Sequence, residues 1–319
     1  MTTTALPHLS LFPALEGVSN PALAPALRSL PDYDQNQAGK QRIATELQSA
    51  NAALLAAVHD RMEVVHQAVA TAQADKPQPR ALPRQAAKSA AALAEARELV
   101  AVLQEADKLL AEGRDRLLTT APDALLRHLG GQLQAALAEA RACGLDESVA
   151  TADEAIDAGQ VDAWKTVTRL TAVASDIRAA QRLVWAHLVR GSDLQQHLDS
   201  FGQVRNYVDL FPEWLGRQRG KAISTFNGEP VYPTPPWDEN TLDDLWAYAV
   251  RHHEVDLWVP TPAELRDTYA QAHADVLRVE ALEDAEAAGQ PLTPDQKQWR
   301  ASRNQLMRLH ERHALPTIK

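Results

Sequence analysis

Apolar residues recur every three or four positions through most of the chain, and that rhythm predicts helices before anything else is considered. From Asp34 to Asp75 one helix is expected, with Ile43, Leu47, Ala50, Leu54, Val58, Met62, Val65 and Val69 on a single stripe. The two consecutive steps of four, Leu54 to Val58 to Met62, read as a stutter in the heptad. At 1.5 Å per residue such a helix is about 60 Å long. Three prolines in "KPQPRALPR" then interrupt it, because each ring removes a backbone donor. A second helix is expected from Gln85 to Leu118. Ala92, Ala96, Leu99, Leu103, Ala106, Leu110, Gly113 and Leu117 there alternate by four and three, which is a coiled-coil seam. Small residues at alternate core positions let two backbones approach closely, so the pair is expected to fold back as an antiparallel hairpin.

Beyond the hairpin, Thr120 and Pro122 mark a helix start, and Gly130 with Gly131 a stop. Short helices are expected at 132–142 and 146–157. A longer one at 160–190 would turn Val161, Trp164, Val167, Leu170, Ala174, Ile177, Ala180, Val184 and Leu188 inward. The texture changes at Phe201: ten of the sixteen aromatic residues lie between it and Trp258, with turn signals in "FNGEP" and "YPTPPW". A compact, less regular region follows from that, with Thr241 capping a helix to His252 and "VDLWVP" as a short strand. Thr261, Pro262 and Glu264 start a helix to Ala288, and a last helix is expected from Pro294 to His313.

The fold class implied is all-α. Five regions are expected: a proline-rich extended arm at 1–33, a long helical hairpin at 34–131, a bundle segment at 132–200, the aromatic-rich region at 201–260, and a charged helical hairpin at 261–319. The arm carries Pro7, Pro13, Pro21, Pro25 and Pro31 among Leu, Phe and Val, a spacing that forbids a long helix. Extended apolar chain of this kind is expected to lie in a groove of its own fold or of a neighbouring subunit.

Composition sharpens the picture. Aromatics are 5% of the 319 residues and glycine is sparse, which suits long helices with thin cores. A formal charge of −10 opposes general polyanion binding. One cysteine, Cys143, excludes an internal disulfide. No window reaches the length of a membrane-spanning helix, and no Lys or Arg precedes Arg28, so neither a membrane partner nor a secretory leader is expected. A cytoplasmic setting, or a particle assembled there, is the expectation. Charge also orders the C-terminal pair: residues 263–290 carry seven acidic and two basic side chains, residues 291–319 two acidic and six basic, so the two helices should meet.

Candidate chemistry is thin. His252 and His253 beside Glu254 and Asp256 are adjacent, so they point about 100° apart on a helix and cannot share a metal. His59, Glu63 and His66 stand at i, i+4 and i+7 on one helix face, and Glu63 with His66 forms the E-x-x-H pair of di-iron bundles. A second such pair is missing from the chain, and the stripe is also what a flank of the coiled coil would present. "GRQRGKAIS" has three residues between its glycines where a phosphate loop needs four. Arg205, Arg217, Arg219 and Lys221 nonetheless stand among Tyr207, Phe211 and Trp214, the mixture used against single-stranded nucleic acid; Arg300, Arg303 and Arg308 would extend it. Against an acidic whole, a basic loop facing an acidic surface of the same protein or of its partner explains that patch better. The chain lacks G-x-S-x-G, and Cys143 has no histidine near it in sequence. No catalytic set and no cofactor are expected.

The function expected is therefore structural or adaptor-like, through helical contacts in a homo-oligomer or larger assembly, with a virion or particle component as an analogy of shape. A nucleic-acid-associated factor centred on Arg205, Arg217, Arg219 and Lys221 is one alternative. A metal-binding helical-bundle enzyme centred on His59, Glu63 and His66 is the other.

Overall fold

The computed structural model describes residues 19–146, 149, 151–189, 193–211, 214, 218, 224–226, 229–231, 235, 237 and 242–302. The fold is all-α, and the described residues divide into two compact units, one of residues 28–121 and the other of residues 19–27 with those from 122 to 302.

The first unit is an antiparallel pair of long helices. After the short helix α1 (Leu23–Arg28), which belongs mostly to the second unit, the pair consists of α2 (Tyr33–Gln73) and α3 (Leu82–Thr120). Pro83 sits in the first turn of α3, where its missing N–H is one of the orphans that every helix start leaves. Ala50, Val100 and Leu103 form the buried centre of the seam, with Ile43, Leu47 and Leu54 packed against it. Side-chain amides and guanidinium groups tie the two helices at either end of that centre. Asn36 Nδ2 donates to the Leu110 carbonyl at 3.0 Å, and Arg61 Nη1 donates to the Ala86 carbonyl at 2.9 Å. Leu110 packs over Gly39, where a Cβ would make an ordinary contact of 3.4 Å with its side chain.

The seam departs from the expected stripe. After Leu54 it runs on through Ala57, Arg61, Val64, Ala68 and Thr71, all buried or half-buried, without a stutter. Val58, Met62, Val65 and Val69 are exposed instead. On α3 the inward set is Leu93, Ala96, Val100 and Leu103, while Ala92 and Leu99 face outward. An unbroken three-four alternation keeps one face of each helix toward the other over the whole length, and a stutter would swing it away. Continuity of packing therefore places Arg61 inward, its stem along the seam and its head on a carbonyl, in preference to the more apolar Met62.

The second unit is built around α4 (Pro122–Ala142) and α6 (Val161–Leu188), which pack on each other. Seven α4 residues are buried, among them Leu125, Leu129, Leu133 and Leu137. From α6 the stripe Leu170, Ala174, Ile177, Ala180 and Val184 is buried as its spacing implies. The expected stop at Gly130 and Gly131 does not occur; α4 runs through both. Each mid-helix glycine costs about 1 kcal/mol relative to alanine, less than burying leucines on both sides of the pair returns. Between α4 and α6, α5 is confined to Ala152–Asp157 and starts with a capping box in which Thr151 and Glu154 exchange hydrogen bonds.

Residues 23–28, expected as extended arm, are helical. Asn20 caps them, its Oδ1 accepting from Ala22 and Leu23 N–H, and Pro25 falls in the first turn, where it forfeits no bond. Asn20 Nδ2 also donates to the Asp176 carbonyl of α6.

A short 3-10 turn at Asp193–His197 precedes α7 (Tyr207–Leu210); α8 is Leu242–Arg251 and α9 is Pro262–Ala287. A two-stranded antiparallel ribbon pairs β1 (Ser224–Phe226) with β2 (Glu229–Val231), so that Thr225 stands opposite Pro230. Phe201, Tyr207, Phe211, Trp214, Trp237, Trp246 and Trp258 are buried in this part of the unit. The expected strand "VDLWVP" reduces to a single bridge between Val204 and Leu257, flanked by Arg205 N–H to the Asp256 carbonyl and Trp258 N–H to the Gln203 carbonyl. After α9 the chain is helical again at 294–302, and Arg300 pairs with Glu286 while Arg278 lies over the Trp299 ring. Arg300–Glu286 is the acidic-to-basic contact seen between the two segments; residues 303–319, which carry most of the basic charge, lie outside the described residues. No described helix is long and apolar enough to cross a membrane.

Candidate interaction surface

The feature of the first unit that packing leaves unexplained is a second apolar stripe on α2. Leu55, Val58, Met62, Val65 and Val69 retain 71, 39, 48, 44 and 48% exposure. They alternate by three and four, so they share one face, displaced by one residue from the seam toward α3. A similar stripe occupies α3: Leu99, Val102 and Leu109 are exposed, with half-buried Ala106 between them at the same spacing. Single exposed aliphatics are ordinary on soluble proteins. Heptad-spaced rows of them on two helices form contiguous apolar surface of the kind that marks contact sites.

His59 and His66 border the α2 stripe. Counting Leu55, Met62 and Val69 as a positions and Val58 and Val65 as d positions, both histidines fall at e, on its rim. Both are exposed, as is Glu63. Glu63 and His66 line a groove of about 680 Å³ between the two helices, with Asp60 from α2 and Lys88 and Ser89 from α3. His59 is not among its lining residues. Among the described residues no three His, Cys, Asp or Glu side chains are placed to hold a metal ion.

Arg205, on the second unit, is already engaged. Its guanidinium lies 3.5 Å from the Asp256 carboxylate and 4.7 Å over the Trp258 ring. The adjoining groove of about 350 Å³ also presents Asp209, Asp267 and Asp275, which surrounds this arginine with negative charge and disfavours a phosphate. Arg217, Arg219, Lys221, Arg303 and Arg308 lie outside the described residues. His252 stacks on Tyr248 at 4.0 Å, and its Nδ1 is 3.5 Å from Glu254, while His253 is exposed.

Two arginines that the sequence did not single out organise the second unit. Arg178 is fully buried on α6; Nη1 donates to the Trp258 carbonyl at 2.6 Å, the Gly202 carbonyl at 3.2 Å and Gln181 Oε1 at 2.8 Å, and Nη2 to the Gln203 carbonyl at 2.9 Å. Burial draws its guanidinium down to about 9, with neighbouring Arg182 adding to that and Asp199 opposing it, so the charge is kept at neutral pH. Gly202 is required where it stands, because a Cβ would lie 2.6 Å from the Leu198 backbone. Arg141 does the corresponding work at the end of α8: Nε and Nη2 donate to the Ala249 carbonyl, and Nη2 also reaches those of His252 and Val255. Both arrangements direct their donors at carbonyls of the same unit. They fix the segments 201–206 and 249–258 to α6 and α4.

No known protein family, curated protein or solved structure matches the chain.

Proposed function

We propose that the protein is a structural or adaptor component that works through helical protein–protein contacts, in a homo-oligomer or a larger assembly such as a particle. The observation that carries this reading is the stripe Leu55, Val58, Met62, Val65 and Val69, exposed along four turns of α2 after the seam with α3 is complete. Burying such a row against another helix is favourable by about 1 kcal/mol or more per side chain, so its exposure in one chain is a reason for that chain to associate. Long thin helical hairpins with small core residues have little other means of gaining apolar burial.

The test is photo-cross-linking in the cells that make the protein, with a photoreactive residue in the full chain at Met62 or Val65 and, as control, at Glu46 on the polar face of α2. Adducts to a protein from Met62 and Val65 but not from Glu46 are expected. No adducts from the stripe, or equal yields from Glu46, would remove the reading.

A further inference from the structure

We propose that the occupant of the α2 stripe is the α3 stripe of a second copy of this chain, with those two helices running parallel. The inference rests on the proposed function and names its partner.

Heptad positions carry the argument. On α2 the stripe has His59 and His66 at e, while its g positions, Leu54, Arg61 and Ala68, belong to the seam within the chain. On α3, Leu99 and Ala106 are a positions and Val102 and Leu109 are d. There the g positions are Glu98 and Glu105, and the e positions, Leu103 and Leu110, belong to the seam. Each stripe therefore has one free rim: imidazoles on α2, carboxylates on α3. In a parallel two-stranded coiled coil a g residue faces the e residue of the next heptad on its neighbour. Setting Leu55 beside Leu99 and Met62 beside Ala106 of the second copy brings Glu98 against His59 and Glu105 against His66. The apolar and polar registers agree without adjustment. Charged groups beside these rims include Lys108, 3.4 Å from Glu105 and 4.0 Å from Glu112, Glu95, one turn from Glu98, and Glu63, one turn from both histidines.

Pairing like with like is worse. Two antiparallel α3 stripes would set Glu98 against Glu105 twice, crowding four carboxylates, and two α2 stripes would set imidazole against imidazole. Nor can one chain close its own stripes on each other. The α2 stripe follows its seam by one residue and the α3 stripe precedes its seam by one. In an antiparallel pair both displacements turn in the same sense, so the stripes emerge on opposite faces of the hairpin. Each copy then offers two different surfaces, the condition for head-to-tail growth into a ring or an open stack.

Light scattering on the full-length protein over a range of concentrations tests this, with His59→Glu/His66→Glu and the four-fold change His59→Glu/His66→Glu/Glu98→Lys/Glu105→Lys alongside, and circular dichroism to show that all are folded. Wild type is expected to grow beyond dimer mass with concentration, the two-fold variant to associate about tenfold more weakly, and the four-fold variant to recover. A wild-type monomer at every concentration, a mass that stops at dimer, or failure of the swapped charges to restore association would overturn the inference. If wild type stays monomeric while Met62 still cross-links to another protein, the second copy is excluded and the proposed function stands; loss of both sinks both.

Discussion

Leu99 and Val100 are neighbours on α3 with opposite surroundings: Val100 is 8% exposed in the seam against α2, and Leu99 is 50% exposed outside it. The less bulky of the two is the one the fold uses. In dilute protein, Val100→Ala should lower stability by about 1–3 kcal/mol, through lost burial and the cavity left behind. Leu99→Ala should change it by no more than about 0.5 kcal/mol. Urea midpoints at equal slope measure both, and a larger effect at Leu99 would show that the seam has been assigned to the wrong face.

Arg178 donates to three main-chain carbonyls in the buried interior of the second unit; the Gly202 carbonyl also accepts from Gln181 and the Gln203 carbonyl from the Trp258 N–H, so the Trp258 carbonyl depends on Arg178 most. Arg178→Met keeps most of the volume, leaves the Trp258 carbonyl unsatisfied at about 1–3 kcal/mol and takes one of two donors from the Gly202 and Gln203 carbonyls, while relieving the burial of a charge. A net loss of about 1–3 kcal/mol is expected. Thermal unfolding followed by tryptophan fluorescence reads it, since Trp258 lies at the clamp.

Gly131 sits within α4 with nothing within 4 Å of where a Cβ would be. Gly131→Ala is therefore expected to stabilise the protein by about 0.5–1 kcal/mol through helix propensity alone. Were the chain broken there with glycine in a left-handed turn, the same change would destabilise, so the sign of the shift in melting temperature decides.

Glu264 closes the capping box at the start of α9, and its carboxyl is held below its usual value chiefly by the Thr261 N–H it accepts. A carboxylate depressed on folding contributes stability that is present above its unfolded value and lost as pH falls through the folded one. Stability should decline less steeply on acidification below about pH 4.5 in Glu264→Gln than in wild type. Parallel acid-unfolding curves would contradict this.

Legibility from sequence followed how many apolar stripes competed. On α6 the stripe is buried from Leu170 through Ala174, Ile177 and Ala180 to Val184, as its spacing implies, while Val161, Trp164 and Val167 at its start are half-buried. On α2 two stripes lie side by side from Ala57 onward, and hydrophobicity favoured the row with Met62 and Val65. Packing chose the row with Ala57 and Arg61, because small residues let α3 approach and an arginine stem can line a seam. Arg178 had no legible signal: its acceptors are carbonyls, which every residue possesses, and they come from segments 24 to 80 positions away. Gly130 and Gly131 misled for the opposite reason, a strong local signal overruled by leucines buried on both sides. The candidate residues His59, Glu63 and His66 were visible by spacing, and the structure gives them a setting, the rim of an exposed apolar row, that the letters did not.

The row with Met62 faces outward in the single chain, and the proposed association covers it. Thiol labelling measures that most directly, using Met62→Cys and, as a seam control, Ala50→Cys in a Cys143→Ser background. In dilute protein the thiol at 62 should react at nearly the rate of an unfolded peptide and that at 50 far more slowly, with protection appearing at 62 as the protein assembles. Slow reaction at 62 in the dilute chain, or no protection under conditions where the mass grows, would contradict the account.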